Sequence, residues 1–208
     1  MPEITAFVIP EACRTAAAVA AAGSTIPVSL NLSAEQILDR DFMRVLTSAL
    51  LEYGVPIGQL ALEVPEHALI GNASAIGVLH DASRLGVRII VDDFWASTSE
   101  LLGQLPPLYA VKVDVSHGSG SARAEQELRR VVVAAREATV DVIAKRVETE
   151  ADRAFAASLG CELMQGNEFS RPVTAEEFVA MRDGVQVSPP TGGAVQDSPS
   201  TWDIDRRH

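Results

Sequence analysis

The stretch Val87-Arg88-Ile89-Ile90-Val91-Asp92-Asp93-Phe94 decides the fold. Apart from Arg88, the run from Val87 to Val91 is apolar and rich in β-branched residues, without the polar alternation of a half-solvated strand. A strand of this kind is covered on both faces, as in a parallel sheet flanked by helices. Two adjacent carboxylates, Asp92 and Asp93, close it. Charges in that position are costly unless they bind something. The ends of parallel strands are also where such folds collect their chemistry.

The same unit recurs on either side. Upstream, Asn72 can cap a helix that ends at Leu85-Gly86, and Leu60 to Val64 is a short apolar strand carrying Glu63, with Glu66 just after it. Ser33-Ala34-Glu35-Gln36 is a capping box. Helical spacing continues through Phe42, Val45, Leu46, Ala49, Leu50 and Tyr53 until Gly54 and Pro56 end it. Pro27 to Leu32 reads as a strand that carries Asn31. Pro10 fits the first turn of an Ala-rich helix running to Ala22, with Gly23 as its stop. Downstream, Tyr109 to Val113 is a strand with Lys112 near its end, and Ala122 to Ala138 is a helix with Leu128, Val131, Val132 and Ala135 on one face. Val140 to Ala144 is a strand followed by Lys145 and Glu148. Thr149 to Leu159 is a helix stopped by Gly160. Cys161 to Met164 is a strand leading to Gln165, and Thr174 caps a last helix to Arg182. Six strands alternating with helices define an α/β fold with a parallel sheet and right-handed crossovers. The polar groups at the strand ends then converge on one mouth.

Composition narrows the function. With 208 residues, 47% of them hydrophobic and 22% charged, the chain fits one domain, residues 1–183, and a tail. The tail, 184–208, contains Ser188-Pro189-Pro190-Thr191-Gly192-Gly193 and reads as disordered, with a lone Trp202. A net charge of −11 opposes binding to a nucleic acid polymer or an anionic membrane. Cys13 and Cys161 read as small buried apolar residues in a reducing compartment. His67, His80, His117 and His208 show no ligand spacing and read as surface residues. No run approaches a membrane span, and the start lacks the basic region of a signal peptide. The expected location is cytoplasmic.

The motifs Val28-Ser29-Leu30-Asn31-Leu32-Ser33, Leu62-Glu63-Val64-Pro65-Glu66, Leu85 to Phe94, Lys112-Val113-Asp114, Val147-Glu148-Thr149 and Leu159 to Pro172 occur in that order. They resemble the VSVNLS, LEIT-E, LGVRIAIDDFG, KID, VET and LGCDxxQGYYFSRP segments of the EAL domain family, which hydrolyses cyclic di-GMP. The resemblance spans about residues 8–182. It implies a TIM-like (β/α) barrel of the EAL type, incomplete here, with six recognisable parallel strands of the family's eight. In an active member Asn31, Glu63 and Asp92 would ligate Mg²⁺ or Mn²⁺, and Asp93 would hold a second metal. Hard oxygen ligands suit these ions, and two metals can activate a water and clamp a phosphodiester. Lys112 would position that water or neutralise developing charge. Glu148 would support the metal shell, and Gln165 would lie beside it. Glu66 would either hold the following loop or begin a helical turn.

Three departures from the family pattern oppose hydrolysis. The EAL tripeptide and a nearby phosphate-holding arginine have no counterpart, because the chain starts at about the Ala-rich helix. The family's general-base glutamate falls on Lys145, and a protonated lysine cannot accept a proton and repels a metal. The loop Phe94-Trp95-Ala96-Ser97-Thr98-Ser99-Glu100 stands where the family has FGTGYSS, a loop that links the metal site to dimer contacts; losing both glycines removes backbone freedom. The resemblance, so modified, implies a catalytically degenerate EAL domain that acts as a regulatory or protein-interaction module in cyclic di-GMP signalling. Lys112 and Glu148 would be vestigial. Lys145 and Lys112 would pair with Glu63, Asp92, Asp93 and Glu148 in place of metals. The alternatives are a metal-dependent phosphodiesterase yielding linear pGpG, and a non-catalytic cyclic di-GMP sensor in which Arg146 or Arg171 replaces the missing arginine. Six strands would also leave sheet edges open at Pro27–Leu32 and Cys161–Met164, inviting a homodimer or a protein partner.

Overall fold

Six strands pair in strict sequence order, and every pairing is parallel. The computed structural model describes residues 2–95, 99–118, 121–174 and 177–178. Its elements are α1 (Pro2–Ala21), β1 (Val28–Asn31), α2 (Ala34–Ile37), α3 (Phe42–Tyr53), β2 (Leu60–Pro65), α4 (Ala73–Arg84) and β3 (Arg88–Asp92). After these come α5 (Ser99–Gln104), β4 (Ala110–Asp114), α6 (Ala122–Glu137), β5 (Asp141–Lys145), α7 (Glu150–Leu159) and β6 (Leu163–Gln165). The result is a half-barrel with β1 and β6 at its two edges.

Period-two alternation separates two apolar clusters. Leu30, Leu62, Val64, Ile89, Val91, Val111, Val113 and Ala144 face the helices and join the main core with Ile9, Phe42, Leu46, Leu79 and Leu128. Ala61, Ile90, Ala110 and Ile143 form a second, smaller cluster on the concave face. Above them, in the same phase of the same strands, come Glu63, Asp92, Lys112 and Lys145. This alternation is what lifts charge onto the rim of an otherwise apolar wall. Between the two sheet edges the concave face opens into a cavity of about 580 Å³, lined by residues including Val28, Ile90, Ile143, Leu163 and Phe169.

Local signals account for most boundaries. Ser33 and Gln36 form the reciprocal capping box at α2, Asn72 caps α4 through Ala75 N–H, and Gly54 ends α3 in the left-handed conformation. On the exposed side of α6, Arg129 pairs with Glu125 one turn earlier at 2.8 Å.

Four features differ from the sequence reading. Helix α1 starts at Pro2 and carries Pro10 in its interior. Ile9, Cys13, Ala16 and Val19, each at most 1% exposed, give it a continuous buried stripe, which offsets the backbone hydrogen bond that proline forfeits. The helical pattern from Ala34 to Tyr53 breaks into α2 and α3, because Asp39 Oδ1 accepts from Asp41 N–H at 2.8 Å and diverts the chain into a turn. The last strand begins two residues later than expected. Cys161 is taken up by the end of α7, where its N–H bonds Ala156 O behind left-handed Gly160. His80 is also not a free surface side chain, since its Nε2 lies 3.0 Å from Gln104 O. The substituted loop at 96–98, the last helix beyond 178 and the tail 184–208 lie outside the described residues.

Candidate functional site at the mouth of the half-barrel

The strand ends gather Asn31, Glu63, Asp92, Lys112, Lys145, Arg146, Glu148 and Gln165 around a cavity of about 300 Å³. Two ion pairs organise it, and each skips one strand. Lys112, on β4, is 6% exposed. Its Nζ lies 2.7 Å from Glu63 Oε1 on β2 and donates to Gln165 Oε1 on β6 at 2.9 Å. Lys145, at the end of β5, donates to Asp92 Oδ2 at 3.0 Å on β3 and lies 2.8 Å from Asp93 Oδ1. It is also 2.8 Å from Asp92 Oδ1, although that buried oxygen accepts no hydrogen bond. The contact to Oδ1 is therefore one of charge, and the directed bond goes to Oδ2.

Burial works against the Lys145 charge, but the hydrogen bonds and the field of Asp92 and Asp93 outweigh it and hold its pKa above the ordinary lysine value. Asp93 reaches its position with φ of 49°, in the left-handed region that aspartate enters more easily than most residues. Arg146 also has a positive φ, 60°. Its Nε lies 3.4 Å from Asp114 Oδ2, and Asp114 Oδ1 accepts from Ser116 N–H at 3.0 Å.

The loop after β5 is locked onto the end of β6. Val147 N–H bonds Gln165 O at 3.1 Å, and Glu168 N–H bonds Val147 O at 3.1 Å. Gly166 packs directly on Val147, where a Cβ would collide with its backbone. Glu66, 5% exposed, accepts the Trp95 N–H at 3.2 Å and so fastens the start of the loop after β3.

Asn31 and Glu148 line the same opening but are exposed. Among the described residues Glu148 forms no ion pair with either lysine, contrary to expectation. Arg146 has already turned the chain out of the strand, and Glu148 N–H is used on Asp152 Oδ2 at the start of α7. The sequence reading also missed the Arg146–Asp114 pair and the Lys112–Gln165 bond. Adjacent motif positions hinted at both, but only the register shows which side chains meet.

The residues do not fit the Mg²⁺ or Mn²⁺ that the family resemblance implies. Glu63 and Asp92 each hold an ammonium group at 2.7–3.0 Å. Among the described residues no group of three or more His, Cys, Asp or Glu side chains is arranged to hold a metal ion. A divalent ion between Asp92 and Asp93 would sit against the Lys145 charge, a repulsion that low dielectric strengthens.

This half-barrel, with carboxylates and lysines closing successive parallel strands, is that of an EAL domain, and the chain belongs to that family: the EAL domain model matches residues 1–172. It is 31% identical over 187 residues to the bifunctional diguanylate cyclase/cyclic di-GMP phosphodiesterase MucR of Pseudomonas aeruginosa, covering 86% of this chain and 27% of MucR. The signaling protein YkoW of Bacillus subtilis is 30% identical over 85% of this chain and 23% of its own length. An uncharacterized protein of Mycobacterium tuberculosis is 34% identical over 86% of this chain and 62% of its own length. The chain thus spans about a quarter of the first two relatives and less than two thirds of the third. Among solved structures, the MucR phosphodiesterase in complex with c-di-GMP superimposes with a TM-score of 0.78 at 29% identity, over 85% of this chain and 74% of that one. The EAL domain of Mycobacterium smegmatis DcpA gives 0.72 at 26% identity, over 83% and 80%. Among the described residues no helix is long and apolar enough to cross a membrane.

Proposed function

We propose that this chain is a catalytically degenerate EAL domain that acts in the cytoplasm as a regulatory, protein-binding module in cyclic di-GMP signalling. The observation that carries the reading is Lys145. It stands where the resemblance places the family's general base, and its ammonium is bound to Asp92 and Asp93. A group so held is protonated at neutral pH and cannot take a proton from water. Glu63, the other carboxylate in line for a metal, is committed to Lys112. Residues 1–183 would form the working domain. The open edges β1 and β6 would be its contact surface, because unpaired edge groups template further pairing.

The test is incubation of the purified chain with cyclic di-GMP and Mn²⁺, with chromatography for the linear dinucleotide. The expected result is no conversion, and turnover would overturn the reading. A phosphodiesterase remains the second reading, on the strength of relatives such as MucR that are named for that activity. Binding without conversion, by calorimetry, would instead identify a sensor of the ligand present in the MucR complex. Light scattering across micromolar concentrations tests the edges, where a monomer with a cooperative melt would argue against self-association.

A further inference from the structure

We infer that Lys145 is a tethered cation that closes the mouth of this chain to divalent ions and makes its fold independent of them. The inference rests on the non-catalytic reading and concerns the same site. The Lys145 Nζ touches three carboxylate oxygens at 2.8, 2.8 and 3.0 Å, from two consecutive residues. A lysine ammonium has three N–H donors and no acceptor, so it can serve Asp92 and Asp93 together. The oxygens stand at ammonium distance. Mg²⁺ demands ligands at about 2.0–2.1 Å in near-octahedral array. A metal here would have to pull the carboxylates inward and expel Nζ.

Among the described residues no other cation stands in for Lys145. Lys112 is spent on Glu63 across the neighbouring strands, and Arg146 faces Asp114. Removing the Lys145 charge would leave Asp92, whose side chain is 19% exposed, beside Asp93 with no counter-charge. Two such carboxylates repel and recruit a cation from solution. Lys145 therefore decides between a covalently supplied counter-ion and a dissolved one. This role is separate from the missing proton acceptor: a neutral residue at 145 would also fail as a base, yet would admit the ion.

The experiment compares the unmodified chain with Lys145→Met and Lys145→Arg in thermal melts with Mn²⁺ or with EDTA, alongside Mn²⁺ titration calorimetry. The unmodified chain and Lys145→Arg are expected to melt alike in both media and to show no saturable Mn²⁺ binding. Lys145→Met should melt lower in EDTA and gain roughly 5–10 °C at Mn²⁺ about 100-fold above its dissociation constant. If Lys145→Met does not fold in EDTA, refolding it in Mn²⁺ decides: recovery supports the inference and failure overturns it. Saturable Mn²⁺ binding by the unmodified chain, or an Mn²⁺-insensitive Lys145→Met, also overturns it. Turnover of cyclic di-GMP by the unmodified chain would sink the non-catalytic reading. An Mn²⁺-insensitive Lys145→Met without any such turnover would sink only this inference.

Discussion

Lys112→Met is the substitution whose cost the structure defines most sharply. Methionine keeps most of the side-chain volume and removes the charge. The side chain of Glu63 is 3% exposed and that of Lys112 8%, so water cannot replace the lost partner. Gln165 is exposed, and its amide oxygen regains a hydrogen bond from solvent. The penalty therefore falls on Glu63. Stranding one member of a buried ion pair costs about 3–5 kcal/mol, a large share of the roughly 5–15 kcal/mol that holds a domain together. At about 2–4 °C per kcal/mol for a domain of this size, the melting point should drop by roughly 6–20 °C. The partner variant, Lys112→Met with Glu63→Met, should recover most of the loss, because a buried pair replaced by apolar groups of similar volume is often neutral. Thermal and urea melts followed by circular dichroism would give the cycle. A single-variant loss below about 1 kcal/mol, or additive effects of the two substitutions, would refute the argument that Glu63 depends on Lys112.

Three further outcomes follow from the same geometry. Gly166→Ala should destabilise by at least about 1–3 kcal/mol, since its Cβ would strike the Val147 backbone rather than a flexible side chain; a melt unchanged from the parent would contradict the close packing of the two loops. Thr149→Ala should cost about 1 kcal/mol by removing one half of the α7 capping box. Its Thr149 hydrogen bond lowers the Asp152 pKa. A depressed folded value means that this contribution is present above the unfolded value near 3.8 and is lost as pH falls through the folded one; stability curves of parent and variant should converge in acid. Burial raises both thiols, Cys13 and Cys161, to about 11. Iodoacetamide at pH 8 should therefore label neither in the folded chain and both in urea, and rapid native labelling would show that one of them is accessible.

The parallel sheet was legible in the sequence because its signals are local. The β-branched run before Asp92, the capping box at Ser33 and the glycine stops at Gly54 and Gly160 each declare an element without reference to the rest of the chain. Pro10 misled because its cost is local while its compensation, the stripe from Ile9 to Val19, is tertiary. Asp39 broke a helix through a side chain to backbone bond that periodicity does not register. At the mouth, their places at or near the strand ends indicated that Glu63, Asp92, Lys112 and Lys145 would converge. Those places could not say which lysine meets which acid, because that depends on the stagger between strands. Lys112 stands opposite Ile143, while Lys145 stands opposite Asp114 and Gln165. The exclusion of Glu148 was equally invisible, since it depends on the positive φ of Arg146.

The skipped-strand pairing also fixes an order in time. Lys145 lies 53 residues after Asp92 in the chain, so a ribosome working at about 5–20 residues per second exposes the aspartates roughly 3–10 s before their lysine. During that interval β3 has β2 beside it but not yet β4 or β5, its tip has no counter-charge, and only mobile ions of the surrounding solution can serve it. Translation then exchanges a borrowed ion for one the chain carries itself.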